Sequence, residues 1–248
     1  MNDKESKTDT PVLAVDVGGS HVKLLASGEG EERRFSSGPK LTPQMMVAGV
    51  VKLAKGWQWK VVSVGVPAPV HGGRVVSEPV HLGKGWVGFD FASAFGKPTR
   101  VVNDAAMQAL GSYAGGRMLF LGFGTGLGST LVVDGHVEPM EVGHLGFRKK
   151  TFEDYVGERA LRKLGKKRWQ KAVRQTIAQL TAALEPDYIV LGGGNAALLE
   201  QLPPHCRLGD NHNAFAGGFR LWQDATVAEG SRQESGPSSA APKPTRGR

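Results

Sequence analysis

The stretch at residues 15–23 reads Val-Asp-Val-Gly-Gly-Ser-His-Val-Lys. Its β-branched residues predict a strand on each side of a tight turn. Gly18 and Gly19 let the backbone turn sharply and bring its N–H groups close to a ligand, and Ser20 adds a hydroxyl. Such a turn can bind phosphate oxygens, although the same residues also fit a plain hairpin turn.

A second glycine-rich stretch, residues 122–130, reads Gly-Phe-Gly-Thr-Gly-Leu-Gly-Ser-Thr. Gly124, Thr125 and Gly126 form its centre and Gly128 follows, between two further predicted strands. This is more glycine than a strand that only packs would carry, although a turn that merely allows close packing is the structural alternative. Because strand, glycine turn and strand occur twice, the sequence predicts two similar lobes with a cleft between them.

Two aspartates have the chemistry that phosphoryl transfer needs, which is mainly positioning and charge stabilisation. Asp104 is the candidate general base, since a carboxyl with a reference pKa of about 3.9 is ionised at neutral pH. Asp16 ends the first predicted strand, where its carboxylate could bind Mg²⁺ directly or through water. Asn103 is also a plausible helix N-cap, so helix capping alone would explain the Asn103–Asp104 pair.

Three further polar residues suit a sugar, whose hydroxyls both donate and accept hydrogen bonds. Glu141 and Glu153 offer acceptors, and His144 can do either. A lone histidine is more often structural, so His144 alone does not indicate a sugar site. The spacing Glu-x-x-His also raises the question of a metal, but the sequence contains no HExxH motif and no cysteine cluster.

The composition narrows the class of protein. With 248 residues, 40% of them hydrophobic, the chain can bury a substantial core. Its single cysteine, Cys206, excludes an internal disulfide and any multi-cysteine zinc site. We find no signal peptide and no apolar run of membrane-spanning length, so we expect a cytoplasmic protein without a membrane partner.

The charge is concentrated in one segment. Residues 148–174 hold eleven Lys or Arg against three acids, an excess that equals the net charge of +8 of the whole chain. A solvated helix face would explain this pattern. The alternative is a docking surface for a polyanion such as polyphosphate or nucleic acid.

Strand-rich and helical stretches alternate, which predicts an α/β fold. We expect a small lobe at 12–112 and a larger lobe at 113–226, with a flexible N-terminus at 1–11 and a disordered tail at 227–248. Among the helices, we predict a continuous one from Thr151 to a C-cap at Gly165.

The order of these motifs resembles the ROK sugar kinases, whose fold belongs to the actin and hexokinase (ribonuclease H-like) superfamily. The resemblance extends from about residue 12 to 222. It implies a two-lobed sugar kinase that phosphorylates the 6-hydroxyl of glucose in the cleft. Asp104 matches the catalytic base, and Mg²⁺ near Asp16 would assist.

The resemblance also assigns roles to the remaining motifs. It implies a sugar site formed by Asn103, Glu141, His144, Glu153, Gly65 and Pro67. It implies a site for the donor phosphates formed by Asp16, Gly18, Gly19, Ser20, Lys23, Gly124, Thr125, Gly126, Gly128, Gly193 and Gly194.

The chain departs from the family pattern at two places. Many members have a cysteine-rich zinc motif where this chain has residues 145–150, which contain no cysteine, so we expect no zinc. His81 stands where relatives often have Asn, which leaves the fine sugar selectivity open. Short, zinc-free members resemble polyphosphate glucokinases, so we expect polyphosphate, ATP or both as donor. The family also commonly forms homodimers, and we expect one here.

The same sequence is also compatible with other functions. A ROK kinase for mannose or fructose using ATP fits the same motifs, as does a sugar-responsive regulator or a nucleic-acid-binding protein. We expect no helix-turn-helix domain, because only eleven residues precede the first predicted strand. Residues 192–197 fit the dinucleotide pattern G-x-G-x-x-A, but too few residues follow to build that fold. A P-loop motif is absent from the sequence.

Overall fold

The computed structural model describes residues 10–210 and 212–223. Most of the N-terminus predicted to be flexible, and the whole predicted tail at 227–248, lie outside these residues. The lobe boundary near residue 112 stays a prediction.

Between residues 12 and 112 the chain forms strands and helices in this order: β1 (Val12–Val17), β2 (His21–Ala26), β3 (Arg33–Ser36), α1 (Pro43–Leu53), β4 (Val61–Val66), β5 (Val70–His71), β6 (Arg74–Val75), α2 (Phe91–Phe95), β7 (Thr99–Asn103) and α3 (Asp104–Ser112). Helix α1 begins as the sequence predicts: Thr42 caps it by accepting a hydrogen bond from Met45 N, and Pro43 occupies its first turn.

Beyond residue 116 the order is β8 (Arg117–Phe123), β9 (Leu127–Val133), β10 (His136–Met140), a 3₁₀ turn (Val142–His144), β11 (Gly146–Phe147), β12 (Lys150–Thr151), α4 (Glu153–Val156), α5 (Glu158–Leu164), α6 (Lys166–Leu184), β13 (Tyr188–Gly192), a second 3₁₀ turn (Ala196–Leu198), β14 (Cys206–Leu208) and α7 (Asn213–Arg220).

Two five-stranded sheets share one topology. The strand orders are β3-β2-β1-β4-β7 and β10-β9-β8-β13-β14. In each sheet the first three strands are antiparallel and the last two run parallel to the central one. The two sheets correspond to the two copies of strand, glycine turn and strand seen in the sequence.

Side-chain alternation along β1 decides which residues face the cleft. Leu13, Val15 and Val17 join the core under α1, so Ala14 and Asp16 point to the opposite face. On that face α7 packs against β1 and β4, and α3 packs against α7 and the second sheet. Helices α3 and α7 therefore lie between the two sheets. Helix α6 packs on the far side of the second sheet, where Trp169 and Ile177 are buried.

The α3–α7 crossing brings two backbones into contact. A Cβ atom on Gly217 would overlap the Met107 carbonyl oxygen, and one on Gly111 would overlap that of Asn213. Only glycine permits this approach. The last helix of the described chain thus packs directly against the helix that begins at Asp104.

The predicted continuous helix from Thr151 to Gly165 is wrong. Thr151 belongs to β12, and Gly157 has an extended backbone that separates α4 from α5. The N–H of Glu158 bonds instead to the carbonyl oxygens of Gly124 and Thr125, at 2.9 and 3.2 Å. Contact with the second glycine turn therefore overrides the helical pattern. The end at Gly165 is confirmed.

None of the helices formed by residues 10–210 and 212–223 combines the length and the apolar character needed to cross a membrane.

Candidate active site

The candidate site lies where three parallel strands end together. Asp16 of β1 pairs with Gly65 of β4, and Val66 at the end of β4 pairs with Asn103 at the end of β7. Gly65 packs against Met107 and against the backbone of Asp104. The carboxyl edge of the first sheet thus gathers Asp16, Asn103 and Asp104, as the sequence predicts.

Asn103 fixes the start of α3. Its Oδ1 accepts hydrogen bonds from Ala105 N at 2.9 Å and Ala106 N at 3.3 Å, which makes it the helix cap that the sequence predicts. Its Nδ2 donates to Ala68 O at 3.2 Å. Ala68 follows Pro67, so the Asn103 amide ties the end of β7 to the loop predicted to border the sugar.

Asp104 occupies the first turn of α3, where its Oδ1 accepts from Ala105 N at 2.8 Å. Burial raises the pKa of its carboxyl from 3.8 to about 7, and the negative charge of Asp16 adds to this. The reference pKa assumed from the sequence therefore does not apply to the folded chain. A carboxyl that titrates near neutral pH is a better proton acceptor than an ordinary aspartate.

Asp16 is the second carboxyl at this edge. Burial raises its pKa to about 6. The positive charge of Lys23, which lies directly opposite on β2, acts in the other direction and lowers the pKa. No N–H or O–H group within the described ranges donates to its carboxylate. Carboxylate oxygens without protein donors suit a hard cation that also takes phosphate and water oxygens. The Asp16 carboxylate is therefore suited to bind Mg²⁺.

The first glycine turn joins β1 to β2 beside Asp16. Gly18 N donates to His21 O at 2.9 Å, and Ser37 Oγ donates to Gly18 O at 2.6 Å. Gly19 and Ser20 are exposed and available to a ligand. The His81 side chain lies next to Gly19, a contact that sequence reasoning did not predict.

The second glycine turn joins β8 and β9 of the second sheet and lies near the start of α3. It closes with a hydrogen bond from Gly124 N to Gly126 O at 3.2 Å, and Thr125 is exposed at its tip. Gly128, just after the turn, packs against Ala105 in the first turn of α3. The turn predicted to bind the donor thus lies close to the predicted base.

A third turn, at Gly193 and Gly194, packs on the second glycine turn. Gly193 has a φ of 79°, and Gly194 has open space beside it. Asn195 N donates to Phe123 O at 3.0 Å, and Asn195 Nδ2 donates to Gly124 O at 3.3 Å. Asn195 was not among the residues predicted for the site, although its place directly after three glycines was a signal for it.

Glu141, His144 and Glu153 lie near one another, and each keeps part of its side chain in contact with solvent. Glu153 Oε2 accepts from Leu127 N at 3.2 Å, and His144 N donates to Glu141 O at 3.1 Å. Partial burial raises the pKa of Glu141, with His144 opposing and Glu153 adding to the shift. Exposed carboxylates and an imidazole can face a polyhydroxylated ligand.

Gly126 sets the position of Glu153, because a Cβ atom on Gly126 would overlap the Glu153 carboxylate. We expect Gly126→Ala to displace that flexible side chain and to raise the KM for the sugar by about tenfold, the loss of one hydrogen bond to a charged group. The melting temperature should change little. Gly146→Ala, where a Cβ meets nothing within 4 Å, is the control. Equal sugar KM values for the two variants would contradict the role of Glu153.

No protein-family model matches the chain. A Mycobacterium tuberculosis (strain CDC 1551 / Oshkosh) protein named polyphosphate glucokinase is 28% identical over 210 residues, covering 73% of this chain and 77% of that protein. The crystal structure of an inorganic polyphosphate/ATP-glucomannokinase from Arthrobacter sp. strain KM matches with a TM-score of 0.74 and 22% identity, covering 85% of this chain and 97% of that one.

A ROK family glucokinase from Streptomyces griseus, solved with glucose and AMPPNP, matches with a TM-score of 0.66 and 17% identity, covering 85% of this chain and 98% of that one. The chain has the fold of the ROK sugar kinases. The resemblance to ROK sugar kinases inferred from the motifs and the predicted α/β fold are therefore confirmed. The roles of individual residues stay predictions.

In residues 10–210 and 212–223, no three His, Cys, Asp or Glu side chains are grouped so that they could hold a metal ion. A Mg²⁺ ion at Asp16 would accordingly depend on donor phosphates and water for most of its ligands.

Proposed function

We propose that this protein is a sugar kinase that transfers a phosphoryl group from polyphosphate, ATP or both to the 6-hydroxyl of glucose. One observation carries the proposal: the Asp104 carboxyl, with a pKa raised to about 7 partly by the charge of Asp16, begins a helix close to both glycine turns. Asp16 leads into the first turn, and Gly128, just after the second turn, packs against Ala105. A proton acceptor next to two phosphate-type turns is what phosphoryl transfer to an alcohol requires.

The names of the similar proteins support the same reaction. The Mycobacterium tuberculosis relative is named for glucose and polyphosphate, and the Arthrobacter protein for polyphosphate or ATP with glucose and mannose. Neither name indicates a regulator or a nucleic-acid-binding protein, so neither favours those alternatives.

In the proposed reaction the sugar lies in the cleft, with Glu141, His144 and Glu153 binding its hydroxyls. As the 6-oxygen forms its bond to the terminal phosphorus, Asp104 accepts the hydroxyl proton. The bond from phosphorus to the bridging oxygen of the donor breaks, and that oxygen leaves with the shortened donor. The N–H groups of the two glycine turns hold the phosphate oxygens throughout.

Mg²⁺, held by Asp16 and the donor phosphates, would neutralise charge that develops on the transferred group. Lys23 lies opposite Asp16 and adds a fixed positive charge on the same side. Asn103 holds the first turn of α3 in place, so the Asp104 carboxyl keeps its position while the proton moves.

The experiment is a matrix of donors and sugars on the purified protein: ATP, tripolyphosphate and long-chain polyphosphate, each with glucose, mannose and fructose, with and without Mg²⁺. We expect Mg²⁺-dependent formation of glucose 6-phosphate. A protein that phosphorylates none of these sugars with any donor would contradict the proposal, and a preference for mannose or fructose would correct the substrate.

The homodimer, the cytoplasmic location and the expectation that no zinc is bound remain predictions of this proposal. Sedimentation of the full chain and metal analysis of the purified protein test the first and the last.

A further inference from the structure

A cavity of about 440 Å³ lies outside the proposed catalytic centre, in the second half of the chain. It is bordered by the first half of α6 and by the segment that follows the Gly193 turn. Its lining residues are Lys166, Lys167, Gln170, Arg174, Glu200 and Gln201. Part of the wall of the cavity is thus formed by the basic segment 148–174.

The segment 193–201 connects this cavity to the proposed donor site. At its start, Asn195 bonds to Phe123 and Gly124 of the second glycine turn. Near its end, Leu198 O accepts from Gln170 Nε2 at 3.3 Å, and Gln170 is only 5% exposed. One short stretch of chain thus contacts the phosphate turn at one end and the floor of the cavity at the other.

The charge of the lining favours an anion. Three cationic side chains face one carboxylate, that of Glu200. Lys166 Nζ lies 2.9 Å from Glu200 Oε1, and this hydrogen bond and charge lower the pKa of Glu200. The side chains of this ion pair are 47% and 68% exposed, so the pair is weak and the lysine can turn to a ligand.

The kind of anion follows from the other groups in the wall. None of the six lining residues is aromatic or a large aliphatic. A nucleobase is usually held by stacking on such side chains, whereas phosphate oxygens need only cations and N–H donors. Each internal unit of inorganic polyphosphate carries a negative charge, and the chain is long enough to extend beyond the reacting end.

We propose that this cavity binds the distal phosphates of an inorganic polyphosphate donor whose terminal unit lies at the glycine turns beside Asp104. The inference rests on the proposed kinase function and deepens it, because it assigns the non-reacting part of the donor to Lys166, Lys167 and Arg174. A donor too short to extend from the glycine turns to this cavity would gain nothing from it.

The test compares two double variants on α6 that lose the same charge. Lys167→Gln with Arg174→Gln removes two cations from the cavity wall. Arg168→Gln with Lys171→Gln removes two exposed cations from residues of α6 that do not line it. We expect the first pair to raise the KM for long-chain polyphosphate by about tenfold or more, and to leave the KM for tripolyphosphate, the KM for glucose and kcat at saturation unchanged. The second pair should leave all four values near those of the unaltered protein.

A third variant tests whether the cavity prefers a negatively charged ligand. Glu200→Gln removes the only carboxylate among the lining residues, so the KM for long-chain polyphosphate should fall. The preference for long over short chains should also weaken as salt rises, because binding a polyanion releases counterions.

Different failures have different meanings. If sugar is phosphorylated but both double variants give the same KM for long-chain polyphosphate, the subsite is wrong and the kinase stands. If no donor is used, the kinase proposal is wrong and the subsite falls with it. If single-stranded DNA competes as well as polyphosphate of equal charge, the cavity is a general polyanion site and the assignment to the donor is overturned.

Discussion

Asp104→Asn is expected to lower kcat by about 10²–10⁴-fold, the usual contribution of a general base, while glucose still binds. Asparagine has the same shape, and its Oδ1 can still accept the hydrogen bond from Ala105 N that Asp104 receives at 2.8 Å. It cannot accept the proton of the 6-hydroxyl. Steady-state rates with saturating donor and calorimetric titration with glucose measure the two quantities separately.

The same variant has a stability signature that excludes simple unfolding. Burial raises the pKa of Asp104 from 3.8 to about 7, so the folded chain binds this proton more tightly than the unfolded chain. The free energy of unfolding of the metal-free protein should therefore fall as pH rises from about 4 through about 7. In Asp104→Asn this contribution is absent, so the variant should melt at a higher temperature than the unaltered protein at pH 8, with less difference at pH 4.

Loss of turnover by less than about tenfold in Asp104→Asn would mean that another residue is the base.

Gly217→Ala should be strongly destabilising, since the new methyl group would overlap the Met107 carbonyl oxygen where α7 crosses α3. Two packed helices would have to move apart, and overpacking of this kind costs about 3 kcal/mol. For a chain of this size that corresponds to a fall of about 6–12 °C in melting temperature. Thermal unfolding followed by circular dichroism measures it.

The control for this prediction is Gly30→Ala, since a Cβ atom there meets nothing within 4 Å. Its melting temperature should stay within about 2 °C of the unaltered protein. Because α3 begins at Asp104, activity of Gly217→Ala should also fall at temperatures where the variant is still folded. Identical melting curves for Gly217→Ala and Gly30→Ala would show that α7 does not pack on α3 as described.

The sequence predicts the parts of this fold in which composition and position agree. Val12–Val17 and Val61–Val66 are β-branched runs that lie in the buried centre of a sheet. Asn103 is both a good cap residue and the residue before a helix-forming run, so its role at α3 could be stated in advance. The two glycine turns could be recognised because each stands between strands.

The two edge strands of the second sheet were not predicted, for a physical reason. Strand β10 has the sequence His-Val-Glu-Pro-Met, and β14 has Cys-Arg-Leu. They lie at the two opposite edges of the second sheet, where one side of the strand needs no partner and apolar residues are not required. Their strand structure comes from pairing with β9 and β13, which a local pattern does not reveal.

Contacts between distant segments were equally hidden. The break at Gly157 depends on the turn at Gly124 and Thr125. The position of α7 beside β1 depends on the close approach of the α3 and α7 backbones. The raised pKa of Asp104 arises from burial and from Asp16, which is 88 positions earlier in the chain. The sequence identified these carboxyls, but only the fold shows how they interact.

A crystal structure of the protein with bound glucose tests the central claim most directly, because the distance between the glucose 6-oxygen and the Asp104 carboxylate can be read from it. We expect that distance to be about 2.6–3.2 Å, the range for a base that can accept the proton, with the sugar ring against Glu141, His144 and Glu153. A glucose molecule that binds with its 6-oxygen turned away from Asp104, or nearer to another carboxylate, would contradict the account.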